Sequence, residues 1–258
     1  MIKAYYMLTK PGILMGNIIT TAGGFALASK GQFNIILFAL TMLGLCLIIG
    51  SACVFNNVTD RHYDAKMERT KNRALVKGTI SISSALAFGI LLAGLGFWTL
   101  YTYTNLLTAS VAFAGFFFYV VMYSFWKYRS TYGTLIGSVA GALPPVIGYC
   151  AVSNQFDIAA ALLFIIMIFW QMPHFYAIAM FRHKDYAAAS IPVLPVKKGM
   201  HVTKIRIILY TVGFVFVSLS PIAFGYTGPL YFVVILLTSL IWLYMGLRAS
   251  KPKTTQSG

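Results

Sequence analysis

A chain of 258 residues that is 59% hydrophobic and only 10% charged is not an ordinary water-soluble domain, in which charged side chains make up about a quarter of the residues. Its formal charge of +15 would suit a nucleic-acid binder, but the basic residues punctuate long apolar stretches instead of forming one patch. That argues against nucleic acid and for membrane lipid as the surroundings.

Crossing about 30 Å of hydrocarbon takes about 20 apolar residues, and eight stretches qualify: 11–29, 34–55, 82–101, 105–125, 132–151, 158–180, 205–224 and 229–247. The expected fold is an all-α polytopic membrane bundle of about eight helices, forming one integral-membrane domain over 1–258. Lys3 and Lys10 precede the first stretch, and six basic residues from Arg61 to Lys77 follow the second. Lys127 and Arg129 follow the fourth, six more from Arg182 to Arg206 follow the sixth, and Arg248, Lys251 and Lys253 follow the eighth. Nineteen of the 20 Lys and Arg thus fall on one side, with Lys30 alone opposite. The positive-inside rule puts both termini and these loops in the cytoplasm. The start, Met-Ile-Lys running into a full-length apolar stretch, predicts a bacterial inner (plasma) membrane protein inserted without a cleaved signal. Cys46, Cys53 and Cys150 lie in apolar stretches without metal-ligand spacing and read as packing residues.

Only two loops on the basic side, about 56–81 and 181–204, have room for chemistry. At an offset of 121 residues Gly12 meets Gly133, Gly16 meets Gly137, Asp64 meets Asp185, and Lys77-Gly78 meets Lys198-Gly199. This suggests two four-helix halves, about 9–128 and 130–248, with a central cavity at their interface under both loops. The stripes Gly12/Gly16 and Gly133/Gly137/Gly141 read first as helix-packing surfaces.

Asp60, Asp64 and Glu68 are three of the five acidic residues in the chain and recur, with Asn56, every four positions. On a continuing helix they would line one face, about 40° and about 6 Å apart. Such a face suits Mg2+, which takes one or two carboxylates and completes its shell with water and substrate phosphate oxygens. Arg69, Lys71 and Arg73 follow closely and would accept a leaving diphosphate. The competing reading is a solvated loop with i,i+4 ion pairs. Asp157, on the other side, reads as a helix start. Asp185 would assist a metal or pair with Lys184 or Arg182. Gln171 and His174, beside Pro173, would either face the cavity and meet an acceptor molecule, His174 as iron ligand or proton carrier, or satisfy neighbouring backbone.

The run from Asn56 through Asp60 and Asp64 to Arg73 resembles the N-x-x-x-D-x-x-x-D signature of the UbiA-type intramembrane prenyltransferases. Thr9-Lys-Pro-Gly12, Tyr132 to Gly137, Pro144-Pro-Val-Ile-Gly148, Trp170-Gln-Met-Pro-His174, Asp185-Tyr186 and Ile191-Pro-Val-Leu-Pro195 are similar to the heme-farnesylating branch, and the likeness runs from about residue 9 to 248. It implies transfer of farnesyl from farnesyl diphosphate to a vinyl group of heme b with addition of water, for use by a terminal oxidase, and with it heme-pathway or oxidase-assembly partners. It implies a Mg2+ site at Asn56, Asp60 and Asp64, to which the repeat, and not the resemblance, adds Asp185 as a further candidate ligand. Diphosphate contacts would come from Arg69 and Arg73 and from Tyr123 and Lys127 at the family's Y-x-x-x-K spacing, and a heme contact from His174; the residue pattern itself adds Lys71 to the first set and Gln171 to the second. Asp60, Asp64 and Lys127 would carry the chemistry. The alternatives are prenylation of a quinone precursor and cation-coupled transport. Phe181 stands where many superfamily members have another aspartate, and related enzymes commonly continue into a ninth helix.

Overall fold

In a computed structural model, described over residues 1–250, the chain forms helices α1 (Ile2–Leu8), α2 (Pro11–Ser29), α3 (Ile35–Asp64), α4 (Ile82–Tyr103), α5 (Leu106–Phe117), α6 (Ser124–Trp126), α7 (Gly133–Gly141), α8 (Leu143–Ser153), α9 (Ile158–Phe181), α10 (His183–Ala188), α11 (Leu194–Ala223) and α12 (Pro229–Ser250). A π-helical turn, Phe118–Tyr123, joins α5 to α6. Grouped across such joins, these give eight segments long and apolar enough to span a membrane. Lys251 and Lys253 lie outside the described residues.

Polar residues at the turns set the helix starts. Asn34 accepts from the Ile36 and Leu37 amides at 3.1 and 3.0 Å, Ser81 from Ser84 at 3.1 Å and Asn105 from Thr108 at 2.8 Å. Asp157 caps α9 through the Ala160 amide at 3.2 Å and also accepts from the Tyr149 hydroxyl at 2.7 Å, the structural part expected of it. Each cap satisfies amides that have no partner inside the helix.

Two spans differ from expectation. α3 continues to Asp64 instead of ending near 55, because its polar last turns find partners inside the protein. α11 starts at Leu194, so much of the expected loop 181–204 is helical, with one break at Gly199, where φ is 82°. Charge hid both from a search for lipid-facing residues.

Helices touch backbone to backbone where glycine removes the side chain. A Cβ on Gly24 would lie 1.9 Å from the Pro145 carbonyl oxygen and one on Gly148 2.1 Å from that of Thr21, so α2 and α8 are locked together. Gly44 and Gly96 seat α3 on α4 in the same way. The expected stripe on α2 is not such a surface: Gly12 and Gly16 have nothing within 4 Å of a Cβ position and face a cavity. The core, with Leu45, Ile48, Leu100, Val146 and Ala160, fills the half of the bundle away from the basic loops. The basic half carries three smaller apolar clusters, around Val54, Met67 and Met172, and buried polar contacts between them.

Candidate active site

Asn56, Asp60 and Asp64 project from the last turns of α3, and all three are buried, at 2, 4 and 1% exposure. Carboxylates are so rarely buried unpaired that each must have a partner, and each does. Asp60 Oδ2 accepts from Lys127 Nζ at 2.5 Å and its Oδ1 accepts from the Tyr128 hydroxyl. Asp64 Oδ2 accepts from Arg73 Nη1 at 2.5 Å, while its own carbonyl takes the Thr70 hydroxyl at 3.0 Å. Asn56 Oδ1 accepts from Lys10 Nζ at 2.6 Å, and Asn57 Nδ2 donates to the Leu8 carbonyl at 2.8 Å, fixing the start of the chain to α3.

Lys10 stands in the left-handed region at φ 53° and ψ 68°, a conformation that costs energy for any residue with a Cβ and is kept where the surroundings enforce it. The following Pro11 disfavours the ordinary helical conformation at Lys10, and the turn so made carries the ammonium into the bundle. Burial there pushes Lys10 down to about 8. Burial also works against Lys127, but Tyr123 and the Asp60 carboxylate outweigh it and raise Lys127 to about 12. Burial, then the Asp60 charge, drives Tyr128 upward, so it stays a hydroxyl donor. Three cations thus surround two carboxylates, leaving one net positive charge for an anion.

The acidic run leaves the helix after Asp64. Glu68 is turned to solvent and pairs with Lys71 at 2.7 Å, both well exposed, so the expected four-residue face has three members. Arg69 is exposed. Of the three expected diphosphate-binding residues in this loop, Arg73 alone joins the buried group. Asp185, on α10, is half-buried and forms neither expected ion pair, since Arg182 lies over the Phe181 ring at 4.8 Å. Its neighbour Tyr186 does reach the site: Tyr63 from the end of α3, Met67 from the loop after it, Tyr128 from the next loop and Tyr186, Ala189 and Ile191 from the last segment form one apolar cluster. The basic loops therefore close on one another.

Below them lies a cavity of about 520 Å³. The π turn sets one wall, stacking Tyr119 on Tyr123 with ring centroids 5.4 Å apart, and Lys127 Nζ lies 5.4 Å from the Tyr123 ring. Tyr123 in turn packs on Gly137, where a Cβ would meet the ring at 3.0 Å. Gln171 and His174 line a further part of the wall with Trp170. The His174 ring stacks on Trp170 at 5.3 Å, and Gln171 is seated by Gly141, where a Cβ would meet its Oε1 at 2.1 Å. Cys53 also lines the cavity.

The donors here are an amide oxygen and two carboxylates, all hard. Among the described residues no three His, Cys, Asp or Glu side chains form a cation cage, so a metal held here would complete its shell from water and phosphate, as Mg2+ does. The buried Asn56 Nδ2 has no hydrogen-bond partner among the described residues and suits a phosphate oxygen. The residues therefore fit a magnesium-diphosphate. Both aspartates sit at an end of α3, whereas transporter ion sites lie near the bilayer midplane.

Residues 17–258 match the model of the UbiA prenyltransferase family. The chain belongs to the UbiA prenyltransferase family. Among curated relatives, the protoheme IX farnesyltransferase of Protochlamydia amoebophila is 54% identical over 99% of this chain and 90% of its own. That of Sodalis glossinidius is 54% identical over 97% and 85%. The solved structure of a UbiA homologue from Archaeoglobus fulgidus bound to GPP and Mg2+ superposes with a TM-score of 0.78 at 15% identity, covering 99% of this chain and 90% of that one. A digeranylgeranylglyceryl phosphate synthase gives 0.77 at 18% identity, over 96% and 86%. At these identities the two structures establish a shared UbiA fold.

Within this UbiA site, sequence reasoning missed Lys10, Tyr128 and Tyr119. A lysine immediately before Pro-Gly at a span entrance was a signal for Lys10. Nothing in the local pattern marked the two tyrosines, whose roles depend on distant neighbours.

Proposed function

We propose that this protein transfers the farnesyl group of farnesyl diphosphate to a vinyl group of heme b, with addition of water, giving heme O and diphosphate. One observation carries the reading: two buried carboxylates interleaved with Lys10, Arg73 and Lys127 stand above an apolar, tyrosine-walled cavity. A charged phosphate and a lipophilic chain need that combination. The names of the relatives choose the acceptor.

In this reading Asn56, Asp60 and Asp64, assisted by Asp185, hold Mg2+, which supplies positive charge to the departing diphosphate. Lys127, Arg73 and Lys10 exchange their carboxylate and amide partners for phosphate oxygens, and Asn56 Nδ2 gains the acceptor it lacks. Arg69 and Lys71 attract the substrate from solvent. The bond between the farnesyl C1 and oxygen breaks with its electron pair going to diphosphate, stabilised by these fixed charges. The tyrosine faces of the cavity wall stabilise the allylic cation, and the apolar lining delays its capture by water. The vinyl π electrons then form the new carbon–carbon bond, water adds at the adjoining carbon and a proton is lost. Gln171 and His174 hold the heme at their part of the wall. The protein lies in the bacterial inner membrane with this site on the cytoplasmic side, as the basic residues direct.

Incubating the purified protein in detergent with heme b, farnesyl diphosphate and Mg2+, with mass spectrometry of the products, tests this. Farnesylated, hydrated heme that disappears with chelator and in Asp60→Ala and Asp64→Ala is expected. Prenylated 4-hydroxybenzoate with heme left unchanged would overturn the acceptor.

A further inference from the structure

Resting on that reading, we infer that Tyr128 is a positioning residue that pins Asp60 in the orientation needed to receive the metal-diphosphate. Consecutive residues divide the two oxygens of this carboxylate: Lys127 takes Oδ2 and Tyr128 takes Oδ1. Their surroundings differ, although the Lys127 ammonium also lies 5.2 Å from the Tyr128 ring centroid. Lys127 lines the cavity, so its ammonium stands where an incoming phosphate draws it off. Tyr128 stands behind, its ring stacked on Tyr63 with centroids 3.6 Å apart and 7° between planes. Tyr63 belongs to α3, one residue before Asp64. The stack is buttressed by Met67, Tyr186, Ala189 and Ile191, drawn from the two larger basic loops.

The consequence follows from what each partner can do. A flexible lysine leaves Asp60 easily, whereas a ring clamped between α3 and the loop cluster does not. When Lys127 turns toward diphosphate, Tyr128 keeps Oδ1, so the carboxylate cannot rotate freely and Oδ2 stays on the cavity side. A hydrogen bond to a charged group is among the stronger ones, and it matters in a site with two carboxylates. The stack also makes this orientation depend on the loops being closed.

The test is Mn2+ binding, read by electron paramagnetic resonance on the full-length protein in detergent with farnesyl thiodiphosphate, a slowly reacting analogue. Tyr128→Phe keeps the ring and loses the hydroxyl. Its Mn2+ affinity is expected to fall about tenfold, with a matching rise in the Mg2+ concentration for half-maximal turnover and little change in kcat at saturating metal. Tyr63→Phe keeps both stack and Tyr128 hydroxyl and holds wild-type affinity, while Tyr63→Ala, which frees the ring, falls between. Unchanged Mn2+ affinity in Tyr128→Phe, alongside tight binding by the wild type, would overturn the inference and leave the proposed function standing. A wild type that binds no Mn2+ with the analogue would overturn both.

Discussion

Arg73 reaches back to place its Nη1 2.5 Å from Asp64 Oδ2, pairing a side chain that is 26% exposed with one that is 2% exposed. The turn that ends α3 makes this possible. Removing one member of a buried pair typically costs about 3–5 kcal/mol, because the other charge stays behind, and the partial exposure of Arg73 puts this pair at the low end of that range. Arg73→Ala is therefore expected to unfold at lower temperature in detergent. Added Mg2+ should return part of the loss by supplying another counter-charge to Asp64. A thermal unfolding series with and without Mg2+ checks this, and equal deficits in both would contradict it.

Lys127 and Asp60 form the second pair, and their substitutions should be strongly non-additive. Lys127→Met leaves a buried carboxylate with only Tyr128 as donor, and Asp60→Asn leaves a buried ammonium without its counter-ion. The double variant removes both charges and should be more stable than Lys127→Met alone, with a coupling of about 1–3 kcal/mol in a double-mutant cycle. All three variants should lose turnover. Simple additivity in the unfolding temperatures would show that the pair does not matter to the fold.

Lys10 carries a pH dependence. Its value of about 8 lies below its ordinary 10.5, so the folded protein loses this proton first, and between these values the unfolded chain binds more protons. Stability linked to Lys10 therefore rises with pH over that window. Substrate binding runs the other way. As pH passes through about 8 the charge available to diphosphate disappears, and KM for farnesyl diphosphate should climb. In Lys10→Met, KM should be high throughout and the step near pH 8 absent. A step that persists in Lys10→Met would assign it to another group.

Two glycines on one helix should behave in opposite ways. Gly16 has nothing within 4 Å of a Cβ position, whereas one on Gly24 would press into the Pro145 carbonyl at 1.9 Å. Gly16→Leu should fold normally and lose acceptor binding, measured by heme titration. Gly24→Ala should unfold several degrees lower, since overpacking costs about 1–3 kcal/mol. If both variants behave alike, Gly16 does not face a ligand.

These contrasts show how much of the molecule could be read from the sequence. Eight apolar stretches gave eight spans, because lipid imposes one simple rule on length and polarity. The same rule concealed the last nine residues of α3 and the first turns of α11, where polar residues stay helical by finding partners inside. The spacing of Asn56, Asp60 and Asp64 marked the site, but periodicity alone extended it to Glu68, since nothing local announced that the chain would turn back to bring Arg73 to Asp64. Gly12 and Gly16 looked like a packing stripe, and only the absence of a neighbouring helix makes them cavity wall. Tyr128 was illegible for a related reason: its meaning comes from Asp60, 68 positions away in the chain.

That separation has a consequence for biogenesis. Asp64 meets Arg73 nine residues later, whereas Asp60 waits 67 residues for Lys127. At about 5–20 residues per second of synthesis, the nascent chain carries Asp60 without its ammonium for about three to thirteen seconds. Through that interval the end of α3 must stay in contact with water or the insertion machinery, and it can sink into the bundle only after the span ending at Trp126 has been threaded. Asp64 thus has its partner available before Asp60 does, and the π turn and its tyrosines emerge together with the lysine that pairs with Asp60.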